Sequence, residues 1–321
     1  MATHECQTRT VARLSSGVRL QITCQRYVGD SDGLTVYIQA AQHGREIMGT
    51  EVLRRLHDEL LAANLAGEVL AVPVADPLTF DRDTYMTPEQ IDSITPNMNR
   101  TWPGDANGTL HQRLAAHLWD YATTADVLID LHTATAETLP HVVYTAGDDD
   151  AKQLADVFGA DLALAEPAGD DATDEWHDRD FGGKIRVAAH RAGIPCITPE
   201  LGNSRLLNEE IVELGLEGLK DVLQAVGVLN GTPSVDPPTH GRNHLGRITA
   251  TESGLFRASP NATLGAEVSV GDHLGTLYAP ESYETLQTAT VEHDGIVYTL
   301  TREAAVKSGD RLASVAVPLD E

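Results

Sequence analysis

The sequence predicts an α/β protein that carries a smaller all-β region at its C-terminal end. Between residues 34 and 229, short apolar runs alternate with amphipathic segments of helical period, which is the pattern of a sheet flanked by helices. A polar stretch that contains Pro233, Pro237 and Pro238 follows. Beyond it lie short strand-like segments separated by turn residues. A chain of 321 residues can bury a large core in this arrangement.

These features divide the chain into two predicted domains. We expect residues 1–232 to form the larger α/β domain, residues 233–242 a linker, and residues 243–321 a C-terminal β-barrel or β-sandwich domain. The proline-rich composition of the middle segment opposes both helix and sheet, as expected of a linker.

The elements of the larger domain follow from the period of their apolar residues. The first helix is predicted where Val52, Leu53, Leu56 and Leu60 recur at helical spacing. Apolar runs of strand length predict the buried strands. The predicted strands cover residues 11–28 (one or two strands), 34–38, 67–75, 125–131, 141–145 and 194–198. The predicted helices cover residues 47–61, 109–123, 148–164, 184–190 and 208–229.

Two polar segments interrupt this alternation. Residues 76–104 are rich in turn formers, and a loop of this length in a compact domain is typically functional or partly disordered. Residues 166–183 are acidic and contain glycine, which makes them a candidate lid. The C-terminal region is predicted as short strands at 246–250, 254–258, 267–277, 284–292, 295–301 and 311–317.

The charge of the chain excludes some partners. Its net charge is −25, which argues against nucleic acid and anionic membranes. Lysine occurs only at Lys152, Lys184, Lys220 and Lys307, and an acidic, lysine-poor composition favours a halophilic protein whose repulsion is screened by salt. An acidic protein of ordinary cytosol remains the alternative.

The cysteines and the N-terminal segment indicate a cytoplasmic protein. Cys6, Cys24 and Cys196 are odd in number and widely spaced, so neither a disulfide framework nor a thiolate zinc site is predicted. A basic segment followed by an apolar one is lacking at the N-terminus, and no segment has the length of a membrane span.

Candidate metal ligands lie where two predicted strands end. His43 and Glu46 sit on the turn between a strand and the first helix, and Gly44 lets the backbone bend there. His132 follows the strand at 125–131, with Asp130 available to orient it. Two close ligands plus one distant histidine form the pattern of catalytic zinc, which keeps a fourth position for water. The alternative is a polar turn and a hydrogen-bonded strand end without a metal.

Three further residues are candidates for catalysis and binding. Glu200 follows another buried strand, where a carboxylate can take a proton from zinc-activated water; the alternative is a carboxylate near the start of the helix at 208–229. Asn99 and Arg100 offer an amide beside a forked guanidinium, suited to a substrate carboxylate. A solvated loop arginine is the competing interpretation.

Four motifs in order resemble the succinylglutamate desuccinylase/aspartoacylase family. The motifs are His43-Gly44-Arg45-Glu46, Asn99-Arg100-Thr101-Trp102-Pro103-Gly104, Asp130-Leu131-His132-Thr133 and Glu200-Leu201-Gly202. The resemblance spans nearly the whole chain. It implies a carboxypeptidase-like mixed sheet flanked by helices, with an added C-terminal β domain.

The same resemblance implies an activity and roles for these residues. The activity is zinc-dependent hydrolysis of a small N-acyl amino acid to a carboxylic acid and a free amino acid. His43, Glu46 and His132 would bind Zn²⁺, and Glu200 would act as general base. Asn99 and Arg100 would bind the substrate carboxylate. The partner would then be a small molecule, and a homo-oligomer is left open.

The chain departs from the family pattern at two places. Asn97 stands where the family usually has aspartate. An arginine that assists the carbonyl oxygen is expected shortly after Asp76-Pro77, but the alignment places Tyr85 there, with Arg82 three residues earlier. Either Arg82 substitutes for that arginine, or the role is missing from this chain.

Two other functions compete with this hypothesis. A zinc metallocarboxypeptidase would use the same centre on the C-terminal residue of a peptide. A non-catalytic binding protein would retain the fold, but it would need no general base such as Glu200.

Overall fold

A computed structural model describes residues 2–134, 137–169, 172, 174–233, 235–302 and 305–319, with backbone alone at 174 and 175. The helices are α1 (Met48–Ala62), α2 (Pro77–Phe80), α3 (Leu110–Ala122), α4 (Asp149–Val157), α5 (Asp174–Asp178), α6 (Ile185–Arg191) and α7 (Glu209–Ala225). Short 3-10 helices cover Met98–Arg100 and Phe181–Gly183. None of the helices in the described ranges is long and apolar enough to cross a membrane.

The strands run through both halves of the chain. Those that precede α7 are β1 (Thr3–Arg13), β2 (Arg19–Val28), β3 (Ser31–Ala40), β4 (Ala66–Val72), β5 (Val127–Ala134), β6 (Glu137–Thr138), β7 (His141–Thr145), β8 (Leu162–Glu166) and β9 (Cys196–Asn203). Those that follow it are β10 (Thr239–Thr249), β11 (Gly254–Ala258), β12 (Glu267–Val268), β13 (His273–Tyr278), β14 (Thr285–Thr290), β15 (Gly295–Leu300), β16 (Ala305–Val306) and β17 (Arg311–Pro318).

A large mixed sheet organises the molecule. Its order is β1-β2-β4-β3-β5-β9-β7-β8-β10-β17-β15-β12, and β6 pairs with β15. The central strands β4, β3, β5 and β9 are parallel, whereas β7 is antiparallel to β9. The predicted mixed sheet flanked by helices is confirmed.

Helices cover both faces of the central strands. Side chains of α1, α4 and α7 pack on one face, where the core includes Val52, Leu56, Leu154 and Leu219. Side chains of α3 and α6 pack on the other face, where Tyr37 and Leu128 of the sheet meet Leu114, Leu118 and Ile185. Because alternate strand residues point to opposite faces, buried parallel strands need apolar residues at almost every position. This requirement explains the apolar runs in the sequence.

The C-terminal strands form a β-rich region that also extends the large sheet. A second sheet, in the order β14-β13-β11-β16, packs against β10, β15 and β17. β10 pairs in parallel with β8, from Thr239↔Leu162 to Arg242↔Ala165. Residues 239–242 of the expected linker are therefore strand, because β8 offers an open edge there; residue 234 lies outside the described residues. The division into domains at 1–232 and 243–321 stays a prediction.

One predicted helix is too long. The segment 148–164 was expected to be helical throughout, but α4 ends at Val157 and β8 begins at Leu162. Gly159 has φ +81°, a left-handed conformation that favours glycine and breaks the helix. The run Leu162–Glu166 then lies in the sheet between β7 and β10, where all its residues are buried. Its burial, rather than its period, decides its structure.

Candidate metal centre and catalytic pocket

The three candidate ligands meet at the carboxyl ends of two central strands. They are His43, Glu46 and His132. His43 and Glu46 lie in the turn between β3 and α1, and His132 lies in β5, which is paired with β3. One ligand atom from each lies within 4.8 Å of the others. Glu46 Oε1 is 2.9 Å from His43 Nδ1, and Glu46 Oε2 is 2.9 Å from His132 Nδ1. All three side chains are buried, with exposed fractions of 2–4%.

The turn that carries His43 and Glu46 depends on Gly44. A Cβ at this position would lie 2.0 Å from the backbone carbon of Thr79, so no larger residue fits while α2 stays in place. The backbone N–H of Glu46 donates to the His43 carbonyl at 3.0 Å and closes the turn. The Thr133 N–H donates to Glu46 Oε2 at 3.1 Å, which fixes the carboxylate from the β5 side.

In each histidine, the ring nitrogen that is not directed at Glu46 contacts an oxygen atom. His43 Nε2 lies 3.2 Å from Asn97 Oδ1, and His132 Nε2 lies 2.7 Å from Asp130 Oδ2. Asp130 also accepts from Gln39 Nε2 at 2.8 Å and from Gln42 Nε2 at 3.0 Å. Such contacts fix the tautomer of a ligand histidine and direct the lone pair of its other nitrogen toward the metal. Asp130 thus lies where the sequence predicted an orienting residue.

The donor set fits a divalent cation of the zinc type. With the proton of each imidazole on Nε2, two Nδ1 lone pairs face the carboxylate oxygens of Glu46. Three acceptors so close together repel one another unless a cation or extra protons lie among them. Two imidazole nitrogens and a carboxylate are a typical catalytic zinc set, with a further position left for water.

Electrostatics keep Glu46 ionised in spite of its burial. Burial disfavours the carboxylate, but the adjacent His43 and His132 prevail and lower the pKa of Glu46 to about 2. Burial likewise opposes the charged form of His132, yet the carboxylates of Asp130 and Glu46 raise its pKa well above the ordinary value. The centre is therefore built for a positive charge at the point where the three side chains meet.

Glu200 lies on β9 beside this cluster. It is the register partner of His132 across the β5–β9 ladder. Its Oε2 is buried and has no hydrogen-bond partner within the described ranges. Burial raises the pKa of Glu200 to about 7, partly opposed by His132. A carboxyl group with this pKa can both accept and release a proton near neutral pH.

The cluster lies in a pocket of about 390 Å³. Asn99 and Arg100, the candidates for binding a substrate carboxylate, both line it. Asn99 Oδ1 accepts from the Ile185 N–H at 3.2 Å. Arg100 donates through Nε to the Arg179 carbonyl at 2.8 Å and through Nη1 to the Asn99 carbonyl at 2.6 Å. These contacts orient the guanidinium and leave its Nη2 edge for a ligand.

The structure does not bring Arg82 into the pocket. Arg82 is exposed, and its Nη1 donates to the Leu78 carbonyl at 2.8 Å at the end of α2. The expectation that Arg82 substitutes for the missing arginine is therefore wrong, because the side chain folds back on its own helix. Tyr85 lines the pocket instead. In the candidate lid, His177 is exposed, and residues 170, 171 and 173 lie outside the described residues.

Sequence reasoning missed a buried ionic network in the wall of the pocket. Glu166, at the end of β8, is 1% exposed and contacts Lys184 Nζ at 2.8 Å, Arg186, and His244 Nε2 at 2.8 Å. Burial opposes its ionisation, but Arg186 and Lys184 hold the pKa of Glu166 well below the ordinary value. Burial lowers the pKa of Lys184 to about 8.

A bulge in β10 carries two of the missed pocket residues. The register of β10 against β17 shifts between Arg242 and Gly246, and His244 within the shift has φ +69°. Asn243 and His244 consequently both line the pocket and both contact Glu166. A non-glycine residue in the left-handed region is strained, and such strain is concentrated at functional sites. Local period gives no signal of this kind.

Comparisons with known proteins agree with the fold and identify a family. The family model "Succinylglutamate desuccinylase/Aspartoacylase catalytic domain" matches residues 32–226. N-alpha-acetyl-L-2,4-diaminobutyric acid deacetylase of Halomonas elongata is 25% identical over 311 residues, which cover 89% of this chain and 82% of that protein.

Solved structures share the fold over the whole chain. A succinylglutamate desuccinylase/aspartoacylase from Rhodobacter sphaeroides superposes with a TM-score of 0.83 at 24% identity, covering 100% of this chain and 96% of that one. The product-bound ectoine utilization protein EutE (DoeB) from Ruegeria pomeroyi superposes with a TM-score of 0.82 at 22% identity, covering 98% and 95%. The family model spans more than half of the residues, so this chain belongs to the succinylglutamate desuccinylase/aspartoacylase family.

Proposed function

We propose that this protein is a zinc-dependent amidohydrolase that cleaves the amide bond of a small N-acyl amino acid. Family membership supports an amidohydrolase. The observation that carries the proposal is the convergence of His43, Glu46 and His132 within 4.8 Å. On the neighbouring strand, Glu200 Oε2 has no hydrogen-bond partner among the described residues. A binding module would not require a buried carboxylate with a pKa of about 7 beside a cation site.

The protein's own groups account for the proton movements. His43 Nδ1, His132 Nδ1 and Glu46 would hold the zinc ion, which when bound lowers the pKa of water and polarises the amide carbonyl. Glu200 takes the proton of the attacking water and passes it to the departing amine. Because β5 and β9 are paired, Glu200 keeps a fixed position relative to His132 throughout.

The walls of the pocket favour small substrates over peptides. Asn99 and Arg100 bind the carboxylate of the amino acid through the amide and the free guanidinium edge. Residues of the C-terminal region, including Asn243, His244 and Tyr298, line the side of the pocket. A cavity of about 390 Å³ accommodates an acylated amino acid, whereas a metallocarboxypeptidase needs an open groove for the rest of the peptide.

The charge of the walls favours an acidic substrate. The acidic side chains of the pocket are Glu46, Asp130, Glu166 and Glu200, and each has a partner or role described above. The cationic side chains that line it are Arg45, Arg100, Arg179, Lys184, Arg186, Arg247 and Arg311. We therefore expect N-acyl derivatives of acidic amino acids, or N-succinyl derivatives, to be cleaved faster than N-acetyl-2,4-diaminobutyrate, whose free amine these cations repel.

A substrate screen combined with one matched pair of variants tests the proposal. N-acetyl, N-succinyl and N-formyl amino acids are incubated with the protein at high and low salt, and zinc is measured after exhaustive dialysis. Glu200→Gln should retain zinc and lose turnover, because the amide cannot accept the proton. Glu292→Gln, an exposed change on the C-terminal region, is the control. Full turnover by zinc-loaded Glu200→Gln would refute the mechanism.

A further inference from the structure

Tyr85 occupies the pocket at the metal centre without a structural task for its hydroxyl group. Its ring stacks on that of His43, with centroids 4.0 Å apart and an interplanar angle of 30°. The phenol oxygen has no hydrogen-bond partner within the described ranges. The charges that act on it belong to Glu46, Arg100, His132 and Glu200, which surround the point of reaction. Tyr85 therefore lies among the charged side chains of the candidate metal centre, in the same pocket.

Hydrolysis of an amide creates a need that such a hydroxyl group can meet. Addition of water to the carbonyl carbon turns the carbonyl oxygen into an oxyanion, and a donor aimed at it stabilises the transition state. A phenol retains its proton at neutral pH and donates one strong hydrogen bond.

Three cationic side chains of the pocket already have protein partners, and the free edge of Arg100 is assigned to the substrate carboxylate. Lys184 and Arg186 contact Glu166, and Arg100 donates to the carbonyls of Asn99 and Arg179. Arg82, the expected substitute for a missing arginine, is exposed and outside the pocket. Tyr85 is a neutral donor that lies directly beside His43.

Arg45 strengthens this donor. Its guanidinium carbon lies 5.1 Å from the centroid of the Tyr85 ring, and its Nε is buried without a hydrogen-bond partner within the described ranges. A cation over an aromatic face is attracted by the ring electrons. By withdrawing electron density from the phenol, Arg45 makes the O–H group a better hydrogen-bond donor.

We propose that Tyr85 is a catalytic residue whose phenol donates a hydrogen bond to the carbonyl oxygen of the scissile amide as that oxygen becomes an oxyanion. The phenol keeps its proton throughout, so no proton or electron pair is transferred at this position. Arg45 acts through the ring as a positioning residue. The inference rests on the proposed amidohydrolase function and adds to it the group that stabilises the developing charge.

Tyr85→Phe is the decisive variant, because it keeps the ring on His43 and removes only the hydroxyl group. Tyr283→Phe, at a tyrosine that is 82% exposed, is the matched control. We expect kcat of Tyr85→Phe to fall by about 10²–10³, with KM nearly unchanged, as for the loss of one oxyanion donor. The zinc content after dialysis should equal that of the wild type.

A second readout does not depend on turnover. The probe is the methylphosphonamidate analogue of the N-acetyl amino acid cleaved fastest in the screen, whose tetrahedral phosphorus stands for the adduct. Its Kd, measured by calorimetry on the zinc-loaded protein, should rise in Tyr85→Phe by the same factor as kcat/KM falls. The Kd of the free amino acid product should change by less than about twofold, because it lacks the oxyanion.

The outcomes separate the inference from the proposed function. Wild-type protein that cleaves no member of the panel would overturn the proposed function and this inference with it. Tyr85→Phe that matches the active wild type in kcat and in phosphonamidate affinity would overturn the inference alone. A tenfold or larger rise in KM at constant kcat would also overturn it, because it would show that the phenol binds the ground state.

Discussion

Replacement of Asp130 by asparagine tests whether the contacts behind the imidazoles matter for metal binding. Asp130 accepts hydrogen bonds from His132 Nε2 at 2.7 Å, Gln39 Nε2 at 2.8 Å and Gln42 Nε2 at 3.0 Å. An asparagine presents an N–H₂ group to at least one of these donors and removes the negative charge beside His132. Loss of such a partner typically weakens metal affinity 10–100-fold, which is about 1.4–2.7 kcal/mol.

Competition with a zinc chelator measures the effect. Asp130→Asn and wild type are loaded with zinc, titrated with the chelator at constant pH, and compared by circular dichroism to establish that both are folded. Asp126→Asn is the control. Asp126 lies immediately before β5 and accepts a hydrogen bond from the Thr35 N–H at 2.8 Å, away from the metal cluster. Equal zinc affinity of folded Asp130→Asn and wild type would refute the reasoning, as would an equal loss in the control.

Three further predictions concern the turn at Gly44, the buried His141 and the net charge of the chain. Gly44→Ala should release zinc on dialysis, because its Cβ would lie 2.0 Å from the Thr79 backbone; retention of one zinc per chain would contradict this. Burial lowers the pKa of His141 to about 4, whereas a histidine in the unfolded chain has a pKa of about 6.5. Between these two pH values the unfolded chain binds a proton that the folded chain does not. The free energy of unfolding should therefore fall by up to about 3 kcal/mol as the pH drops from 6.5 to 4. Urea denaturation at pH 7 and pH 4.5 measures it, and His141→Phe should lose this part of the pH dependence. With a net charge of −25, Tm should rise between 0.1 M and 2 M KCl in calorimetry; a flat Tm would argue against the halophilic interpretation.

The sequence predicted the parts of the site that lie at the ends of buried strands. The apolar runs before His43, His132 and Glu200 place these residues at the carboxyl ends of parallel strands. The structure brings them together there. Asp130 follows from the same period, because it precedes His132 by two residues and shares its face of the strand. Strand ends can be predicted because a buried strand requires a run of apolar residues, and the sequence shows where that run stops.

The ionic network around Glu166 could not be predicted in this way. Glu166 and His244 are separated widely in sequence and meet because β8 pairs with β10, and Lys184 contacts Glu166 from the segment just before α6. Strand pairing of this kind depends on which edge is free in the folded sheet, and no local pattern records it. The bulge at His244 is also invisible, because a left-handed histidine has no distinctive neighbours in sequence.

The pairing of β10 with β8 has a consequence for any shortened form of the protein. A chain cut before Thr239 would leave Leu162–Glu166 as a bare, apolar margin with unpaired N–H and C=O groups, which is a template for association with other chains. The C-terminal strands thus cover the edge of the sheet, which prevents its association with other chains, and they also form part of the pocket wall. Trimming them to widen the substrate range would therefore trade solubility for access.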